Sequence, residues 1–442
     1  MFPLTRPYRQ AIVTLVMLVT TVVPTGYVAV TAWRINRPGH RHEVAAEIGR
    51  QLGLQVALDG VRYPRPGEVV YSGVVLRQEE PRRKGLTEIA RARQVRLRRG
   101  DRELTLEADG LQLFGESPKL AMAQVGALLQ RSGDVSLERV TLAAPTCDID
   151  LGKDILRYTP REVAGIFQAD RGAPTVRVSY RIASRDASTR CELTLTRDRK
   201  AEPVRTSVTF KTIDGLPLPA RVLDPYFDST DWLGPAAKVE GTLSLRQTGA
   251  RDWEADFQGD LLDVDLAALV ERRFPSHRLN SLARVTIKSA RWAERPGQGF
   301  CWVEARGELN TGPGTIGLGL LRALASEMQF RLSPKLAKLP PTRSDLDFRA
   351  LGVAFEMTRD GEIRLDGGLG NEFAPDVVLV NQTSPLAYAP QGAANVRGLI
   401  KMLFPVDEAQ PGLMVPLTPA SSLLSSVLPV PPEPAQKEIK GN

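Results

Sequence analysis

From Ala11 to Trp33 the chain reads AIVTLVMLVTTVVPTGYVAVTAW, a run with no charged residue. About 20 apolar residues rising about 1.5 Å each cross the hydrocarbon of a bilayer as a helix. Val13, Leu15, Val16, Leu18, Val22, Val23 and Val28 would face lipid, and Trp33 would mark the interface where aromatic rings concentrate. Pro24 and Gly26 are tolerable because neighbours or interfacial water can satisfy a freed carbonyl. The competing reading is a cleaved signal peptide, with Arg6 and Arg9 as its basic start and Val30, Thr31 and Ala32 at the cut. The run exceeds the usual apolar core of roughly 7 to 15 residues, so we expect a retained transmembrane helix over 11–33. Arg34, Arg37 and Arg41 follow it, so the count of flanking positive charges does not set the orientation. The short arm at 1–10 and the long body after the span give the expectation of a cytoplasmic N terminus and an exported body.

The body has a different texture. Apolar and polar residues alternate in short stretches separated by turn residues. Examples are Val69 and Tyr71; Leu104, Leu106 and Ala108; Val176, Val178, Tyr180 and Ile182; Cys191, Leu193 and Leu195. The pattern continues through Val204, Thr206, Val208 and Phe210, then Val239, Gly241, Leu243 and Leu245, then Trp253, Ala255 and Phe257. A period of two puts one set of side chains on one face, so each strand has a dry side and a wet side. That is the signature of an antiparallel sheet with one buried face.

Helix signals are few. Ser117 and Pro118 open a segment that would bury Leu120, Val125, Leu128 and Leu129 before Gly133. Thr159, Pro160 and Glu162 read as a capping box, and Asp263–Phe274 and Thr315–Met328 are two further expected helices. These do not alternate strictly with strands, which argues against a doubly wound parallel sheet. The expected fold is mainly β with a few short helices: one transmembrane helix, then an elongated, curled, mostly antiparallel sheet over 34–404. So many strands must close, pair with a second sheet, or curl. In IARARQVRLR the parity changes between Ala92 and Val95, which predicts a bulge near Arg93. A groove and a filled sandwich share this pattern, and both remain open at this point.

Several segments in order resemble a known family. After the span, EVAAEIGRQLGLQVALDGVRY reads as a helix ending in Leu-Gly and a strand closing on Asp59 and Gly60. VVYSGVVLRQ and IARARQVRLRRGDRELTLEADGLQL follow, and DLDFRALGVAFEMTRDGEIRLDG, with a turn at Asp360 and Gly361, stands near the other end. Together they resemble AsmA-like proteins, inner-membrane-anchored periplasmic proteins of the AsmA and TamB type. The resemblance implies lipid handling or outer-envelope assembly, with phospholipid or another acyl-chain lipid and envelope assembly proteins as partners. The candidate apolar groove is Val176, Val178, Tyr180, Ile182, Leu193, Leu195, Val208, Phe210, Leu243 and Leu245. The alternative from another class is a structural subunit of an envelope secretion or assembly machine that binds proteins through its sheet edges.

No catalytic, cofactor or metal site is expected. Of three histidines, His40 and His42 flank the span and His277 stands alone in PSHRLN, without the partners of a triad. Asp148 with Asp150, and Asp263 with Asp265, lack a third ligand for calcium, although a hydrolase using such an acidic pair is a further alternative. GPGTIG at 312–317 matches a dinucleotide fingerprint but lacks its βαβ setting and the acidic residue beyond it. Three cysteines, Cys147, Cys191 and Cys301, exclude a disulfide scaffold. Net charge is +7, with nine basic residues between Arg82 and Arg102 and no interleaved aromatics, so the expectation is a solvated strand face and no nucleic acid. The Pro- and Ser-rich stretch at 405–442 reads as a disordered tail.

Overall fold

In a computed structural model, the structure describes residues 6–79, 86–114, 125–126, 129–130, 137–150, 157–183, 188–213, 217–223, 229–248, 252–295, 299–337, 344–382 and 384–403. The expected tail at 405–442 lies outside them, as do Ser117, Pro118, Leu120, Leu128 and Gly133. The apolar run forms α1 (Arg6–Asn36), longer at both ends than 11–33, with Pro24 inside it and no buried residue. It is the one helix among the described residues long and apolar enough to cross a membrane. Its polar side chains bond to the helix itself: the Thr20 hydroxyl donates to the Val16 carbonyl at 2.7 Å, and the Asn36 amide to Ala32 at 2.8 Å. A short turn leads to α2 (His40–Leu52), which ends at the expected Leu-Gly: Gly53 has φ +67° and its N–H caps Gly49.

The strands then follow almost without interruption. β1 (Gln55–Ala57) and β2 (Gly60–Arg65) share one edge of β3 (Glu68–Glu79), and β4 (Leu86–Arg99) pairs with its other edge. β5 (Glu103–Asp109) and β6 (Leu111–Phe114) both lie between β4 and β7 (Arg139–Asp150), and only their pairing with β7 is parallel. Beyond β7 come the two-residue β8 (Arg157–Tyr158), β9 (Pro160–Gln168), β10 (Thr175–Ala183), β11 (Ser188–Asp198) and β12 (Arg205–Ile213). After β13 (Leu218–Pro219), β14 (Lys238–Thr248) and β15 (Asp252–Asp265) extend the sheet. β16 (Leu279–Asn280) leaves it, and β17 (Leu282–Arg295) and β18 (Gly299–Thr311) continue it. The fold is thus mostly β with a few short helices, and the large sheet is curled and mostly antiparallel.

A second, three-stranded sheet of β16, β19 (Gly314–Gly317) and β21 (Asp345–Phe348) closes the C-terminal end. There α3 (Leu318–Met328) and α4 (Val396–Leu403) cover the last strands of the large sheet. Those strands are β20 (Arg331–Leu332), β22 (Ala350–Met357), β23 (Glu362–Gly367), β24 (Val377–Asn381), β25 (Ser384–Tyr388) and β26 (Ala394–Asn395). The expected turn between two of them is present, with Gly361 at φ +79°.

The strand register carries one apolar row across the whole sheet. Val69 stands opposite Leu97, then Leu106, Leu142, Gly165, Val178, Leu193, Phe210, Leu243, Phe257, Ala290, Ala305, Met357 and Ile363. Opposed residues of paired strands point to the same side, so this row defines one dry face. On the other face the charges pair across strands. Arg96 meets Glu68 and Glu107, Glu192 meets Arg177 and Lys211, and Asp256 meets Arg246 and Arg291. Such exposed pairs contribute only about 0–1 kcal/mol each, but like charges opposed would oppose the register. Arg96 and Arg98, members of the basic cluster, lie on this face in contact with carboxylates.

Four expectations about local structure need correction. Thr159 to Glu162 is no capping box: Pro160–Gln168 is β9, paired on both sides, and the Thr159 hydroxyl donates to Asp148 instead. Two ladders of backbone hydrogen bonds, interrupted only by an irregularity at Glu162 with φ +52°, outweigh one cap. Asp263–Phe274 is strand up to Asp265 and then a single π-type turn over Ala267–Glu271. The helix expected from Thr315 starts at Leu318, because Gly314–Gly317 is held between β16 and β21. The pairing of β3 with β4 stays in frame across Arg93, with Gly73 opposite at φ +57°, and the register shift comes at Ile89.

Gly241 and Gly259 face each other across β14 and β15, where a Cβ on Gly259 would stand 2.0 Å from the Glu240 carbonyl oxygen. Gly259→Ala is expected to destabilise by about 2 kcal/mol, as overpacking a tight backbone contact does. Gly392→Ala, where nothing lies within 4 Å, serves as the neutral comparison in thermal unfolding.

Candidate functional site

The dry face is covered in places. Val125 and Leu129, from the stretch between β6 and β7, lie on it over β7 to β12. A parallel pairing needs such a crossover. Its described residues Val125, Gly126, Leu129 and Gln130 are helical, and Leu129 is buried against Phe167, Val176 and Leu195. Arg199 donates to the Leu129 and Gln130 carbonyls at 2.8 and 3.0 Å, tying the segment to the end of β11. Leu129 is therefore buried as expected, and Val125 is half-buried against the same cluster.

Farther along the strands, Leu218 of β13, opposite Val239 on β14, packs with Ile182, Cys191 and Leu223. Tyr180, Phe210 and Phe257 lie half-buried beside that cluster. Toward the C terminus the face is filled by the large core of Leu279, Ile316, Leu321, Phe348 and their neighbours, under α3 and α4. Ten residues were expected to line a groove, and the structure puts all of them on this face. Val176, Ile182 and Leu195 are buried under the covers. Val178, Tyr180, Leu193, Val208, Phe210, Leu243 and Leu245 are half-buried. Leu243 and Leu245 on β14 join none of the three buried clusters. The dry face is thus filled at its C-terminal end and packed in part over β7 to β14, while Leu243 and Leu245, like Leu97 and Leu106, stand outside the three clusters.

The groups that could do chemistry sit elsewhere. His277 is buried and its Nε2 lies 2.6 Å from the Met402 carbonyl oxygen of α4, a structural link between the π-type turn and the last helix. His40 and His42 do not act as a pair: His40 Nε2 is 2.8 Å from the Tyr63 hydroxyl, while His42 lines a separate cleft. Asp148 accepts from Thr159, Asp263 pairs with Lys238 at 2.9 Å, and Asp265 caps the turn at the Ala267 and Ala268 amides. Among the described residues no group of three His, Cys, Asp or Glu side chains could hold a metal ion. In the GPGTIG segment, a Cβ on Gly314 would stand 2.3 Å from the Asn280 carbonyl oxygen, so that glycine serves sheet packing.

One polar group on the wet face has shifted acidities. Burial and the Asp260 charge raise the Glu240 carboxyl, partly offset by Arg284. Burial also pushes Asp260 up, but hydrogen bonds from Arg284 and Thr286 and the Arg284 charge outweigh it, and the net shift is downward. This group orders the outer face of β14, β15 and β17.

No protein-family model, curated protein or solved structure matches this chain.

Cys191 reports on how dry the covered part of the face is. Burial pushes its thiol up to about 12, and burial with the neighbouring Asp148 charge pushes Cys147 up to about 11. The thiolate is the reactive form, so both thiols are expected to resist a soluble maleimide at pH 8 in a Cys301→Ser background. Denaturant should expose both. Fast labelling of Cys191 in the native protein would mean that the cluster it shares with Leu218 and Val239 opens.

Proposed function

We propose that the protein is a membrane-anchored, exported, AsmA-like protein that holds acyl chains of lipid on the dry face of its curled sheet. Its body lies in the periplasm, tethered by α1 to the inner membrane, and it serves lipid handling or outer-envelope assembly. The observation that carries this reading is the unbroken apolar row, which is half-buried along β10 to β15 and leaves Leu243 and Leu245 outside every packed cluster. A buried methylene gains about 0.8 kcal/mol, so an acyl chain along such a gutter is held without any catalytic group. α1 supports the reading: a helix with no buried residue, long and apolar enough to cross a bilayer, would tether the sheet beside a source of lipid.

Photo-crosslinking tests this. Probes at Phe210, Leu243 and Leu245 are expected to give lipid adducts in cells, whereas probes at Thr209 and Ser244, on the opposite face, are expected to give none. Crosslinks from Leu243 only to other parts of the chain would overturn the reading in favour of a closed core. A charge in the gutter gives a second test. Leu243→Glu should lower the phospholipid that co-purifies with the full chain by at least several-fold and leave its circular dichroism unchanged, because an unpaired carboxylate cannot be buried against acyl chains.

A further inference from the structure

Where the sheet meets the anchor, α2, β1 and β3 enclose a cleft of about 500 Å³. That volume falls in the range of about 300–1,000 Å³ typical of small-ligand sites. Its inner wall is apolar and small: Ala45 is buried, and Leu54 and Val56 are half-buried. Its rim is cationic, formed by Arg50 from α2 and Arg77 from β3, with His42 at the end nearest α1. Two strands of pairing fix Arg77 in place, opposite Gln55 on one side and Glu88 on the other. Glu88 is engaged with Arg91 at 2.9 Å, and no carboxylate lies within ion-pair distance of Arg77 among the described residues. Glu47 faces Arg50 along α2, but both side chains are more than half exposed, so that pair is readily exchanged for another anion. The floor is fixed by Gly49, where a Cβ would stand 2.7 Å from the Leu54 carbonyl oxygen.

Location narrows the occupant. α2 starts directly after the turn that ends α1, and the intervening surface has the make-up of a bilayer interface. Arg37 lies over the Trp33 ring at 5.0 Å, and Tyr63 and His40 stand together beside it. An apolar pocket with a cationic rim at that depth fits a phosphate flanked by glycerol and the start of an acyl chain.

We infer that this cleft seats the anionic headgroup of a membrane phospholipid, recognised by Arg50 and Arg77, and so holds the first strands of the sheet against the bilayer surface. The inference depends on α1 lying in the bilayer and is independent of whether the gutter carries lipid.

Hydrogen exchange on the full chain in vesicles tests it. With phosphatidylglycerol mixed into phosphatidylcholine, the amides of α2 and β1 should gain protection. The Arg50→Gln, Arg77→Gln double variant should need a higher anionic fraction for half-maximal protection, by about fivefold per arginine removed. Arg50→Lys with Arg77→Lys should restore most of it. Unchanged protection of β24 at Leu379 and Val380 in the variants reports that the fold is intact. Equal protection in phosphatidylcholine alone would overturn the inference, as would anionic-lipid dependence that survives the double Gln variant. The same protection from inorganic phosphate over phosphatidylcholine vesicles would overturn it in favour of a soluble phosphate site. Loss of the lipid adducts at Leu243 with this protection intact would tell against the gutter alone.

Discussion

The structure depends on register. With side chains alternating at a period of two, a slip of one residue at any strand pair would turn every later strand over and send Phe210, Leu243 and Phe257 to the wet face. Nothing covalent prevents that: Cys147 and Cys191 are free thiols. What opposes it is the agreement of two patterns, an apolar row on one side and complementary charges on the other. Glu192 between Arg177 and Lys211, or Asp256 between Arg246 and Arg291, meets its partners in only one frame. Individually weak pairs thereby specify a pairing that burial of the dry face then stabilises.

Tight backbone contacts work with this. Gly241 and Gly259 meet where no side chain fits, and Gly307 lies under the Phe355 ring, its own missing Cβ 2.8 Å from the Phe355 Cζ. These positions lie two residues along the strands from Leu243, Phe257 and Ala305 of the apolar row, so the strands come close together beside it. The bend that results is bought with residues that carry no side chain at all.

Much of this was legible in the sequence. The anchor was evident because a long apolar run has few alternatives, and the dry face because alternation in Val176 to Ile182 or Val239 to Leu245 leaves no doubt about which side chains share a side. The ten apolar residues expected together do share one face, for the same reason. The misread parts are those where pairing between distant segments decides. Thr159 and Glu162 satisfy a local capping rule, yet β7 and β10 claim the backbone between them from both sides. The three-stranded sheet at the C-terminal end joins Leu279, Ile316 and Leu346, positions with no local signal of their meeting. The covers were half legible: Leu129 was expected to be buried, but what it would lie against depends on a crossover that periodicity does not reveal. The cleft beside α2 escaped the sequence altogether, since Arg50 and Arg77 belong to different elements and look there like ordinary surface charges.

The one place among the described residues where neighbouring strands run parallel has a kinetic meaning. Most of the sheet can assemble by adding one adjacent hairpin to the next, a route made of short loop closures. The junction of β5 and β6 with β7 cannot form that way, because the crossover bearing Leu129 must first be laid across strands that come later in the chain. The sheet from β7 onward can therefore gather as one cooperative unit while the strands next to the anchor wait to dock. Opening of the native protein is then set to begin along that seam, separating the strands next to α1 from the rest of the body before either part loses its own hydrogen bonds.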